Sequence, residues 1–223
     1  MRTKSENKKI TIEVPTSWKE ITLGKFRNYQ MIENKESMSN LELKMLTVEI
    51  FCDLKAKNVR SLSIKDLNRI YKEVTKLISS KQPSFKFKQI FKFKGKRLGF
   101  IPNLSKISTG EWADFEELMR QGGYWKNAHK VMSILWREID TEIGDKYSIK
   151  EYDESHIENS DQYLELGMDK VIGAQTFFLR LGHDLLRTLR TSTLEERSLI
   201  KRGNLTDLIT QLQKSTGGIT RSL

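Results

Sequence analysis

The amino-acid sequence predicts an α+β protein, mostly helical, built from two related strand–helix–helix units. A β-hairpin lies between them and a long apolar C-terminal helix follows. Three observations carry this prediction. The first is an internal duplication at an offset of 86 residues, in which Ile21 meets Ile107, Thr22 meets Ser108 and Gly24 meets Gly110. Phe26 then meets Trp112, Asn28 meets Asp114, Tyr29 meets Phe115, and Lys44 to Val48 fall on Lys130 to Ile134 without a gap. Val14-Pro15 matches Ile101-Pro102 with a slip of one residue. The second is a change of hydrophobic period to two at Phe85, which is a strand signal. The third is the apolar stretch from Met168 to Arg190.

The elements follow in order. Residues 1–9 are polar and predict a mobile arm. Ile10 to Val14 alternates apolar and polar, so it reads as a half-buried strand ended by Pro15. Ser17 or Thr22 can cap a helix running to about Glu33, with Phe26, Tyr29 and Ile32 on one face. Asn40 can cap a second helix, with Leu43, Leu46, Ile50 and Leu54 as its apolar stripe. Ser63 can cap a third, with Leu67, Ile70, Val74, Leu77 and Ile78 facing inward.

Phe85 to Lys88 and Phe91 to Lys94 alternate strictly, Gly95-Lys96 makes a turn, and Arg97 to Ile101 returns as the second strand of a hairpin. Thr109-Gly110 opens a helix carrying Trp112, Phe115 and Leu118, and Gly122-Gly123 breaks it. A long helix from Trp125 to Ile139 carries Ala128, Val131, Met132, Leu135 and Trp136 inward. Tyr147 to Tyr152 reads as a short exposed strand or an extended loop, and the acidic stretch from Asp153 to Glu165 as a loop. Gly173 and Gly182 lower the helicity of the last long helix and permit close contacts. The organisation expected is an arm at 1–9, a globular domain at 10–190 whose duplication spans about 10–80 and 97–140, and an extension at 191–223.

Charge is segregated along the chain. The net charge of +10 divides into +13 for residues 1–100, −8 for residues 101–169 and +5 for residues 170–223. Three readings compete. Surface lysines can simply keep the protein soluble. A basic face of one copy can meet the acidic face of the next, in head-to-tail contacts that close into rings or open into stacks. Or the basic part can face nucleic-acid phosphates. The candidate basic face is Lys86, Lys88, Lys92, Lys94, Lys96 and Arg97. The candidate acidic face is Asp140, Glu142, Asp145, Glu151, Asp153 and Glu154. Leu212, Ile219 and Leu223 form a candidate partner-binding arm in the polar C-terminal extension. In the hairpin, alternation puts the phenylalanines on the face opposite the lysines. An amphipathic strand seated on a core shows this pattern, whereas base stacking needs aromatics among the cations.

Catalytic chemistry finds little to stand on. His129, His156 and His183 lie at no metal-ligand spacing with one another, with Cys52 or with an acidic pair. His129 reads as a surface or satisfied histidine. The acidic run lacks the ordered oxygen ligands and turn glycine of a calcium loop. No phosphate-cradling loop or nucleophile elbow occurs. Cys52, the only cysteine, sits among Ile50, Phe51 and Leu54 and reads as a buried thiol. The reading is therefore of a non-enzyme with no cofactor, no catalytic residue and no metal. No apolar run is long enough to span a bilayer, residues 1–9 lack a signal-peptide core, and no membrane association is expected.

Gly99 to Glu111, Asn127 to Arg137, Gly144 to Tyr147, Met168 to Leu186 and Leu212 to Ile219 together resemble a family of poorly characterised structural and tail-assembly proteins of tailed bacteriophages, including crAss-like and marine phages. The resemblance covers about residues 10–219. It implies a virion subunit at the head–tail region, a connector, ring or tail protein, present in the host cytoplasm during assembly. Its partners would be portal, ring or tail proteins and further copies of itself in a ring, with DNA as a possible contact. It equally admits a tail assembly chaperone absent from the finished particle, and it transfers no catalytic residues.

Overall fold

A computed structural model describes residues 11–33, 38–80, 85–103, 107–121, 124–144, 146–153 and 155–177. A 3-10 turn at Trp18–Glu20 leads into α1 (Leu23–Glu33), followed by α2 (Asn40–Phe51), α3 (Ala56–Arg60) and α4 (Ile64–Ser79). The hairpin β1 (Ile90–Phe93) and β2 (Lys96–Phe100) comes next, then α5 (Thr109–Arg120) and α6 (Tyr124–Leu135). The strands β3 (Trp136–Ile143) and β4 (Lys146–Ile149) precede α7 (Ser155–Glu158) and a 3-10 turn at Ser160–Glu165. Residues 168–177 are helical. The fold is thus mixed α+β, with one four-stranded antiparallel sheet in the order β1-β2-β3-β4. The remainder of the expected long C-terminal helix, the arm at 1–9 and the extension at 191–223 lie outside the described residues.

Short polar side chains start the helices by occupying amide groups that have no partner within the helix. Thr22 Oγ1 accepts from Lys25 N at 3.3 Å at the head of α1. Ser63 Oγ accepts from Asp66 N at 3.1 Å at the head of α4. For α2 the cap is Ser39, accepting from Glu42 N at 3.2 Å, one residue before the expected Asn40. Ser108 and Glu111 form a reciprocal capping box on α5. Leu67, Ile70 and Val74 are the buried face of α4.

Several expectations about local structure are corrected. Residues 85–88 form no strand, β1 beginning at Ile90, and the hairpin turns at Lys94 and Gly95 where Gly95-Lys96 was expected. Residues 11–16 form no strand, although Ile12 and Val14 pack partly buried against the core. The backbone pairing in this region lies further on. Leu23 N donates to Leu166 O at 2.8 Å and Met168 N to Ile21 O at 2.9 Å. The helix expected to reach Ile139 stops at Leu135, where Leu135 O accepts from Ile101 N at 3.0 Å and the chain runs directly into β3. A helix end needs outside partners for its carbonyls, and here the end of β2 supplies one. Residues 153–165 are also not a plain loop, since α7 and a 3-10 turn occupy most of them. Each half contains a pair of helices, α1–α2 and α5–α6. The first continues into helices and the second into strands.

The core is aromatic where sheet meets helices. Phe87 stacks on Phe177 at 4.4 Å, and Phe100 meets Trp136 edge-on at 4.9 Å. Phe26 on α1 meets Trp125 on α6 edge-on at 4.7 Å, tying the first helix pair to the second. Trp136 is fully buried, and truncation to Ala is expected to cost about 3–5 kcal/mol. Lys94 and Gly95 turn the first hairpin with φ of 48° and 78°, the left-handed geometry that two-residue hairpins need.

Candidate functional site

The hairpin lysines and the acidic strand, expected as separate faces, meet in the sheet. Leu98 lies opposite Glu138 and Gly99 opposite Arg137. This register brings Lys96 Nζ within 3.1 Å of Glu138 Oε2. Lys94 pairs with Glu165 at 2.6 Å. Arg97 grips Glu142 through both terminal nitrogens, with Nη2 donating to Oε1 at 3.0 Å. Lys86, Lys88 and Lys92 are exposed and form no salt bridge among the described residues. Phe91 is buried, and Phe85, Phe87 and Phe93 are half-buried against the core. The aromatics thus pack towards the core, and of the hairpin lysines Lys94 alone among the described residues has its Nζ near one of these rings, 5.9 Å from the centre of Phe93.

On the acidic side, Asp140 and Glu151 are exposed and make no salt bridge among the described residues. Asp153 accepts from Ser155 N at 2.9 Å, and its Oδ1 lies 3.2 Å from His156 Nδ1. The Ser155 side chain, with smaller help from His156, holds the Asp153 carboxyl below its usual range. Asp145 and Glu154 lie outside the described residues, as do Leu212, Ile219, Leu223 and His183.

Between β2–β3 and the segment 155–163 lies a polar cleft of about 360 Å³. Lys96, Leu98, Arg137, Glu138 and Lys150 line one wall, and Ser155, His156, Asn159, Gln162 and Tyr163 the other. Glu138 Oε2 accepts from Lys150 Nζ at 2.9 Å as well as from Lys96. These bonds, Lys150 first, hold the Glu138 carboxyl below its usual range, and Glu138 in turn raises Lys150. Arg137 is buried and pairs with Glu111 of α5 at 2.5 Å, both side chains being 6 % exposed. Its guanidinium also lies 5.6 Å over the Tyr152 ring. Burial pushes the Tyr163 hydroxyl up to about 12, and it donates to Trp136 O at 2.5 Å.

Sequence reasoning did not single out Glu138, Lys150 or the Glu111–Arg137 pair. Strand pairing and the approach of α5 bring them together, and neither leaves a local spacing. His129 also differs from expectation. It is 4 % exposed, and burial lowers its pKa to about 4. Cys52 is buried as expected, its thiol pushed up to about 11 by burial. Among the described residues no group of His, Cys, Asp and Glu is arranged to hold a metal ion, and no helix is long and apolar enough to cross a membrane. Comparison with known protein families, with curated proteins and with solved structures gives no match for this chain.

Proposed function

We propose that this chain is a non-enzymatic structural subunit of a tailed-phage virion, a head–tail connector, ring or tail protein that works by protein–protein assembly. One observation carries the reading: part of the segregated charge is not consumed among the described residues. Lys86, Lys88 and Lys92 on one side, and Asp140 and Glu151 on the other, are exposed without a salt bridge among the described residues. Unlike patches on one surface suit head-to-tail contacts between copies, or contacts with portal and tail subunits of opposite charge. The resemblance to phage structural proteins supports the same reading. Base stacking finds no support in the hairpin, whose aromatics are packed inward.

The test is mass spectrometry of purified source particles, with copy number counted against the portal. A fixed multiple of portal copies is the expected result. Abundance in infected cells with absence from particles would replace it with the tail assembly chaperone. DNA affinity that falls steeply with salt, with no affinity for virion proteins, would replace it with a nucleic-acid binder.

A further inference from the structure

We propose that the cleft beside β3 binds a compact oxyanion, the carboxylate or phosphoryl group of a ligand, held between Lys96 and Lys150. Both ammonium groups converge on a single atom, Glu138 Oε2, at 3.1 and 2.9 Å. One carboxylate therefore serves both ammonium groups, and Asp140 on β3 also acts on Lys150. Arg137 lines the same cleft. Its charge is met by Glu111 on α5, and its buried Nε has no hydrogen-bond acceptor among the described residues. Ser155, His156, Asn159 and Gln162 make the facing wall polar. A concave site focuses the field of its cations, and an oxyanion there gains charge-assisted hydrogen bonds. The two lysines are 57 % and 53 % exposed, so a ligand reaches them without unfolding the protein. The inference concerns the isolated chain and stands apart from the virion reading.

The experiment titrates inorganic phosphate and, separately, succinate into the full chain, with ionic strength held constant by chloride and backbone amide shifts read by NMR. Saturable shifts at Lys96, Glu138, Lys150 and His156 are expected. Affinity should fall about tenfold when Lys96→Gln and Lys150→Gln are combined. It should rise in Glu138→Gln, which removes the internal competitor and leaves both ammonium groups free. A preference for phosphate assigns a phosphoryl ligand, and a preference for succinate assigns a carboxylate. No saturable shift with either anion, or one affinity shared by all three proteins, overturns the proposal.

Discussion

Arg97 and Glu142 form a two-pronged ion pair across the sheet, and a register shift in β3 puts them on the same face. Their residues stand 45 positions apart in sequence. Strict alternation along β3 would place Glu142 on the face of Glu138. The register shifts between Ile139 and Thr141, so that Ile139 pairs with Ile149 and Glu142 with Tyr147. One extra residue in a strand reverses the side from which every later side chain projects. The pair is partly exposed, at 48 % and 35 %, and such pairs contribute about 0.2–1 kcal/mol. Glu142→Gln is expected to lower stability by no more than that. The difference should shrink in high salt, as urea denaturation at two ionic strengths will show.

The Glu111–Arg137 pair behaves differently because both partners are buried. Removing one strands the other charge in a poorly solvating interior, at a cost of about 3–5 kcal/mol. Glu111→Gln is expected to fall in that range, its Oε2 contact with Ser108 N weakening as well. Glu111→Leu combined with Arg137→Met should recover much of the loss, since neither charge is then left alone. Chemical denaturation of the three proteins decides the matter. Equal stabilities for wild type and Glu111→Gln would contradict it.

Gly99 is required by a close approach. A Cβ there would stand 2.5 Å from Tyr147 Cε2 and 3.0 Å from Ile139 Cγ1. The Tyr147 ring has little freedom to retreat, because its hydroxyl donates to Phe100 O at 2.6 Å. Gly99→Ala is therefore expected to cost about 1–3 kcal/mol. The damage should show as faster hydrogen exchange in β4. Removing the ring as well, in Gly99→Ala with Tyr147→Ala, should bring less than the sum of the two single losses.

His129 makes stability depend on pH in a defined window. Burial, with smaller help from Arg27, lowers its pKa from 6.5 to about 4, while Asp161 at 3.7 Å from Nε2 opposes the shift. Lys130 acts in the same direction as Arg27. Between those two values the unfolded chain holds more protons than the folded one, so this contribution is full above pH 6.5 and is lost as the pH falls towards 4. Melting temperatures across that window should fall more steeply for the wild type than for His129→Gln. Parallel curves would show that the imidazole titrates normally.

The sequence by itself determined what one or two turns of chain can encode. Thr22 and Ser63 cap their helices because a hydroxyl and an amide three residues on need nothing else to meet. The hairpin around Gly95, the inward phenylalanines and the buried Cys52 follow from short-range pattern as well. The helix expected to run to Ile139 was misread because Ala128, Val131, Met132 and Leu135 set a helical period that Trp136 continues. In the fold, Ile101 N donates to Leu135 O and Trp136 pairs with Phe100 as the first residue of β3. The same holds for the candidate site. The lysines and carboxylates are plain in the chain, but their partners depend on strand register and on one shift in it. The tertiary structure therefore decided which charges neutralise each other among the described residues, because charges far apart in sequence interact only through the separation that packing imposes.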